Sequence, residues 1–98
     1  MSIKDSEEEP IEYPITSEID LHTFRPNEVS SLLREYIKEC RERGIFDIRV
    51  IHGKGTGTLR EGVHRLLDQM HKEVHSYRLG DETSGSWGAT LVILNKFQ

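Results

Sequence analysis

Cysteine, proline, aromatics and long apolar runs are all scarce in this 98-residue chain, and each scarcity closes off a class of protein. Cys40 is the single cysteine, so no internal disulfide can form and four-cysteine zinc sites are excluded. It falls on the apolar stripe of an expected helix, which predicts a buried, inert thiol and fits a reducing, cytoplasmic setting. The longest apolar run, residues 91–94, is too short to cross a bilayer, so no membrane segment is expected. Residues 1–9 lack a basic patch followed by an apolar stretch, and no secretory signal is expected there. The length suits one small domain, expected as a monomer.

Positive charge is also scarce, with 13 Lys and Arg against 17 Asp and Glu, a net charge of −4. The deficit is local. Residues 1–20 hold seven acids (Asp5, Glu7, Glu8, Glu9, Glu12, Glu18 and Asp20) and one base, Lys4. That leaves 12 bases and 10 acids for residues 21–98. The acidic excess belongs to an N-terminal segment, and the remainder is free to present a modest basic face. With Pro10 and Pro14 and no amphipathic period, residues 1–16 read as a flexible acidic arm ahead of a domain over residues 17–98.

What is present is period. Residues 18–22 alternate, with Glu18, Asp20 and His22 opposite Ile19 and Leu21, which predicts a strand with one buried face. Pro26 suits a helix first turn, and Val29, Leu32, Leu33, Tyr36, Ile37 and Cys40 keep helical spacing up to Gly44, a left-handed cap. Residues 47–52 read as a second strand, followed by a glycine-rich loop over residues 53–58. Thr58 is the expected N-cap of a second helix, with Glu61 completing a capping box and Leu59, Val63, Leu66, Leu67, Met70 and Val74 as its stripe. Strands over residues 75–79 and 89–94 flank a polar loop containing Trp87. The order β-α-β-α-β-β predicts an α+β fold, a small mixed four-stranded sheet covered on one face by two helices.

Parallel strands one and two bring their C-terminal ends to one edge, where α/β ligand sites usually lie. Gly53, Gly55 and Gly57 permit positive φ and close approach of backbone N–H groups to an anion. The helix that follows adds the positive end of its dipole, and Lys54 and Arg60 add charge. A turn that needs glycine only for its shape is the alternative. A Walker-type loop fits poorly, because Gly53-Lys54 is followed by Gly55 rather than Ser or Thr, and a dinucleotide loop needs a different glycine spacing and a first-strand position. Asp20 and His22, two apart on one strand, share a face, where an aspartate can orient a proton-moving histidine. A solvated strand face is the plainer reading. His64, His71 and His75 have helical spacing, but no third ligand is compelling, so helix surface is preferred to metal. Trp87 is a candidate for stacking on a base or for covering the core edge, and Phe24 for packing where the first helix begins.

Three motifs together resemble the small MutS-related (Smr) domain. Ile19-Asp20-Leu21-His22-Thr23 is similar to its opening Leu-Asp-Leu-His-Gly, with Thr23 in place of glycine. His52 to Arg60 matches His-Gly-x-Gly-x-Gly-x-Leu-Arg throughout. Gly85-Ser86-Trp87-Gly88 resembles its glycine-rich turn before the last strand. Thr23-Phe24-Arg25-Pro26 looks like the corresponding segment of short stand-alone bacterial members. The resemblance implies a two-layer α/β sandwich, binding of DNA or RNA and, in several members, endonuclease activity. It makes Asp20 and His22 catalytic candidates. His52, Gly53, Lys54, Gly55, Gly57, Arg60, Trp87 and Gly88 become candidates for contacting phosphate or nucleic acid. No cofactor is required on this reading, although a divalent metal such as magnesium, with Asp20 as ligand, is compatible with it. A non-catalytic module for branched nucleic acid and a protein-interaction domain using the acidic arm are the alternatives.

Overall fold

The computed structural model describes residues 15–53, 57–80 and 88–97. In chain order the elements are β1 (Glu18–Asp20), α1 (Pro26–Glu42), β2 (Asp47–Ile51), α2 (Thr58–Gln69), β3 (Val74–Leu79) and β4 (Ala89–Leu94). They form a four-stranded sheet of order β1-β2-β4-β3. β1 runs parallel to β2, with Glu18 opposite Arg49 and Asp20 opposite Ile51. β4 lies antiparallel to both β2 and β3. The sheet is therefore mixed, as its order of elements led us to expect. Parallel β1 and β2 need a long crossover, and α1 supplies it.

Burial follows the pleat. Ile48, Val50, Val92 and Leu94 are buried, whereas Asp47 and Ile93 on the same strands are exposed. Leu33, Ile37 and Cys40 of α1 and Val63 and Leu67 of α2 meet the buried face in one cluster, so both helices cover the same side. Cys40 is free and fully buried, and burial pushes its thiol up from the ordinary value. Glu18 and Arg49 form an ion pair at 3.1 Å. Residues 1–14 of the expected arm lie outside the described residues. Its last two, Ile15 and Thr16, touch the domain: Ile15 packs on the core, and the Thr16 carbonyl accepts the Tyr36 hydroxyl.

Helix ends explain where the chain turns. Pro26 opens α1, and the Glu28 carboxylate accepts the Arg25 N–H at 3.3 Å. At the other end Gly44 donates to the Arg41 carbonyl and Ile45 to the Cys40 carbonyl, the paired bonds of a Schellman cap. α2 departs from expectation at both ends. Its N-cap is Gly57, left-handed at φ 92°, rather than Thr58, which is already helical. Glycine takes that φ without a Cβ clash and turns the chain sharply out of the loop. The helix stops at Gln69, and Val74, expected on its stripe, instead opens β3 opposite Leu94. A β-branched residue satisfies its burial as well from the sheet as from a helix face.

Gly44 sits at φ 78° with nothing among the described residues within 4 Å of an added Cβ, so Gly44→Ala isolates the backbone cost. The expected loss is about 1–2 kcal/mol, read as a lower urea midpoint at unchanged slope. An unchanged midpoint would contradict the cap assignment.

Candidate active site

The strand β1 ends because Asp20 captures the chain. Its Oδ1 accepts the backbone N–H of His22 at 3.0 Å and also bonds the His22 ring at Nδ1. Alternation along a strand to residue 22 had predicted this pair on one face. The strand in fact stops at Asp20, and the carboxylate rather than the pleat joins the two side chains. The hydrogen bond from the His22 side chain, then that from its backbone, holds the Asp20 carboxyl below the ordinary carboxylate value. Nδ1 being engaged, Nε2 is the ring nitrogen available for proton transfer. Both side chains are about half exposed, at 55% and 49%, so solvent and solutes reach them.

The loop after β2 meets this turn. Gly53 is at φ 84°, and a Cβ there would lie 3.5 Å from the His22 Cβ, which puts the ends of β1 and β2 in van der Waals contact. The third segment arrives through Gly88, whose carbonyl accepts the N–H groups of both His52 and Gly53 at 2.8 Å each. The Gly53 amide is thus engaged within the protein. At Gly57 a Cβ would lie 2.8 Å from Arg60 Nη2, so the guanidinium folds over the start of α2 because nothing but hydrogen occupies that space. A cleft of about 810 Å³ collects these groups, with His22, Gly53, Gly57 and Arg60 along one part and Phe24 and Leu66 along another. Asp20 acts on the cleft through His22. Lys54, Gly55 and Trp87 lie outside the described residues.

Beneath the loop is a buried polar chain that sequence reasoning missed. His52, expected among the phosphate contacts, is 4% exposed with both ring nitrogens engaged. Its Nδ1 faces the Gly53 carbonyl at 3.0 Å, which can only accept, so Nδ1 carries the proton. In the neutral ring Nε2 then accepts from the Thr90 hydroxyl at 2.9 Å, and Thr90 in turn accepts from His64 Nε2 at 2.7 Å. His64 also stacks at 4.8 Å on Tyr77, whose hydroxyl donates to Asp68 at 2.8 Å. His52 therefore holds the Gly53 carbonyl, where the loop begins. The one sequence signal was Thr90, a hydroxyl in an otherwise apolar strand. His64 had been grouped by spacing with His71 and His75. The structure separates them, placing His71 in a turn and His75 on β3, and no cluster of three or more His, Cys, Asp or Glu able to hold a metal occurs among the described residues.

Burial lowers the pKa of His52 and of His64 from 6.5, with the nearby Arg60 charge acting in the same direction on both. The folded state then binds fewer protons than the unfolded chain. This contribution to stability is complete above the unfolded value and is lost as pH falls through the folded values. The urea midpoint should therefore drop between about pH 7.5 and about pH 5; a flat profile would contradict the neutral network. Thr90→Val, which strands both imidazoles, should cost about 1–3 kcal/mol, and Thr90→Ser should recover most of it.

The Smr domain family model matches residues 19–95. The chain is 38% identical over 80 residues to Endonuclease MutS2 of Geobacillus kaustophilus and 41% identical over 81 residues to that of Fusobacterium nucleatum. These stretches take in 82% and 83% of the chain but only 10% of either relative's length. The crystal structure of the Smr domain of Thermus thermophilus MutS2 superimposes with a TM-score of 0.74 at 31% identity, covering 82% of this chain and 99% of that one. YdaL, a stand-alone small MutS-related protein from Escherichia coli, gives 0.76 at 25% identity, covering 87% and 69%. The fold is thus that of known Smr domain structures.

Proposed function

The chain belongs to the Smr domain family, and from that premise we propose that it binds DNA or RNA and cleaves a phosphodiester bond in it. One observation carries the reading: an aspartate-held histidine shares a cleft with an arginine folded over a glycine-capped helix N-terminus. The relatives named endonucleases support it through the stretch they share with this chain, 10% of their length.

In this mechanism Arg60 and the positive end of the α2 dipole draw the phosphate into the cleft. His22 Nε2 takes the proton of the nucleophile, the 2′-hydroxyl in RNA or a water in DNA. A new P–O bond forms as the bond to the leaving oxygen breaks, and that oxygen takes a proton from solvent. Asp20 holds the imidazole in its productive tautomer and balances the charge it gains. Arg60 stabilises the charge that builds on the phosphorane-like transition state. No cofactor is required by these groups.

Purified protein should cut a structured RNA or nick a supercoiled plasmid, with or without chelator. His22→Ala should lower the rate by about 10²–10⁴-fold. Arg60→Ala should weaken binding and reduce the slope of log affinity against log salt by about 1. A wild-type rate no higher than that of the Asp20→Ala/His22→Ala double variant would reject cleavage. If the double variant then bound nucleic acid as well as wild type did, the chain would be a binding module.

A further inference from the structure

Nothing among the described residues requires Gly62 to be glycine. It lies inside α2, where glycine weakens a helix relative to alanine. A Cβ added there would meet nothing within 4 Å among the described residues, so none of them excludes one. Gly62 does line the cleft. Thr58, Gly62, Arg65, Leu66 and Gln69 of α2 line it together, at the three- and four-residue steps of one helix face. The cleft is therefore a trough running along α2 away from His22, roughly 18 Å from Gly57 to Gln69 at helical rise. Its other wall comes from the α1 side, through Phe24, Pro26 and Val29. At the far end Arg34 Nη2 donates to Gln69 Oε1 at 3.0 Å and ties the two helices together. Phe24 is 43% exposed, an aromatic ring left open beside His22.

We propose that this trough holds an unpaired stretch of nucleic acid flanking the phosphate at Arg60, with a base stacked on Phe24 and the strand passing closest to α2 at Gly62. The proposal rests on the functional reading above and names the form of substrate. Two arginines along it, Arg60 and Arg65, stand about 7.5 Å apart at helical rise and match successive phosphates of a strand. The apolar walls and open ring match base faces. In a duplex those faces are covered by neighbouring base pairs, so a ring can stack only on an unpaired base. Gly62 then keeps clear the space that a methyl group would take from the strand.

The test uses fluorescence anisotropy with a short single-stranded oligonucleotide and with a duplex of the same length. It is run without divalent ions in full-length protein carrying His22→Ala, so nothing is cut. Gly62→Ala in this background should raise Tm while weakening single-strand binding several-fold, and Gly62→Leu should weaken it further. Phe24→Ala should lose about 5- to 100-fold and Phe24→Tyr little. Duplex binding should be weaker than single-strand binding and indifferent to all four changes. Unchanged single-strand affinity in both Gly62 variants would overturn the proposal. So would a Gly62→Ala variant with lowered Tm, which would assign the glycine to packing, or a duplex that binds more tightly. Because no cutting is measured, these outcomes are independent of whether His22 cleaves.

Discussion

The site depends on a parallel pairing of only three residues. β1 has no hairpin to hold it against β2, and its place is set by the α1 crossover and by ladder bonds that continue past its ends, from Arg49 to the Ser17 carbonyl and from Leu21 to the Ile51 carbonyl. Antiparallel pairing would carry Asp20 to the other end of β2, far from the glycine loop. The parallel register instead sets Asp20 opposite Ile51, one residue before His52. Leu21, fully buried, anchors the turn from below while Asp20 and His22 stay in solvent. Chemistry and packing thus alternate along three consecutive residues.

A second layer holds the chain at His52 and Gly53, where β2 gives way to the loop. His52, Thr90 and His64 form a directional chain of hydrogen bonds ending on the Gly53 carbonyl, and Gly88, just before the last strand, clamps the His52 and Gly53 amides. Burial favours the neutral imidazoles that this chain needs, so electrostatics and geometry agree. Arg60, whose charge helps keep both histidines neutral, is also the cation offered to an incoming anion. The support under the loop and the cation above it are therefore coupled.

Local pattern made most elements legible. The last strand from Ala89 to Leu94 matches the structure, as does the α1 stripe with Gly44 as its cap, Leu32 alone being half-buried. Val74 and the Thr58 cap were misread because a short periodic run cannot say whether its final apolar residue is buried from a helix or a sheet, nor which of two adjacent capping residues the backbone chooses. The insertion of β4 between β2 and β3 and the Thr90–His64 bond, spanning 26 residues, are non-local pairings that period does not encode. The Asp20–His22 contact was anticipated from strand alternation and realised by a side-chain-to-backbone turn. Gly62 passed unnoticed because its meaning lies in what its missing Cβ does not touch.

The central claim is that His22 and Arg60 act on one phosphate. The most direct measurement is a chemical-shift titration with a dinucleotide whose leaving oxygen is replaced by a methylene group, so that it binds without reacting. The His22 ring and the Arg60 guanidinium should shift together along one binding curve. Arg60 shifting while His22 stays still, or the reverse, would contradict a shared site.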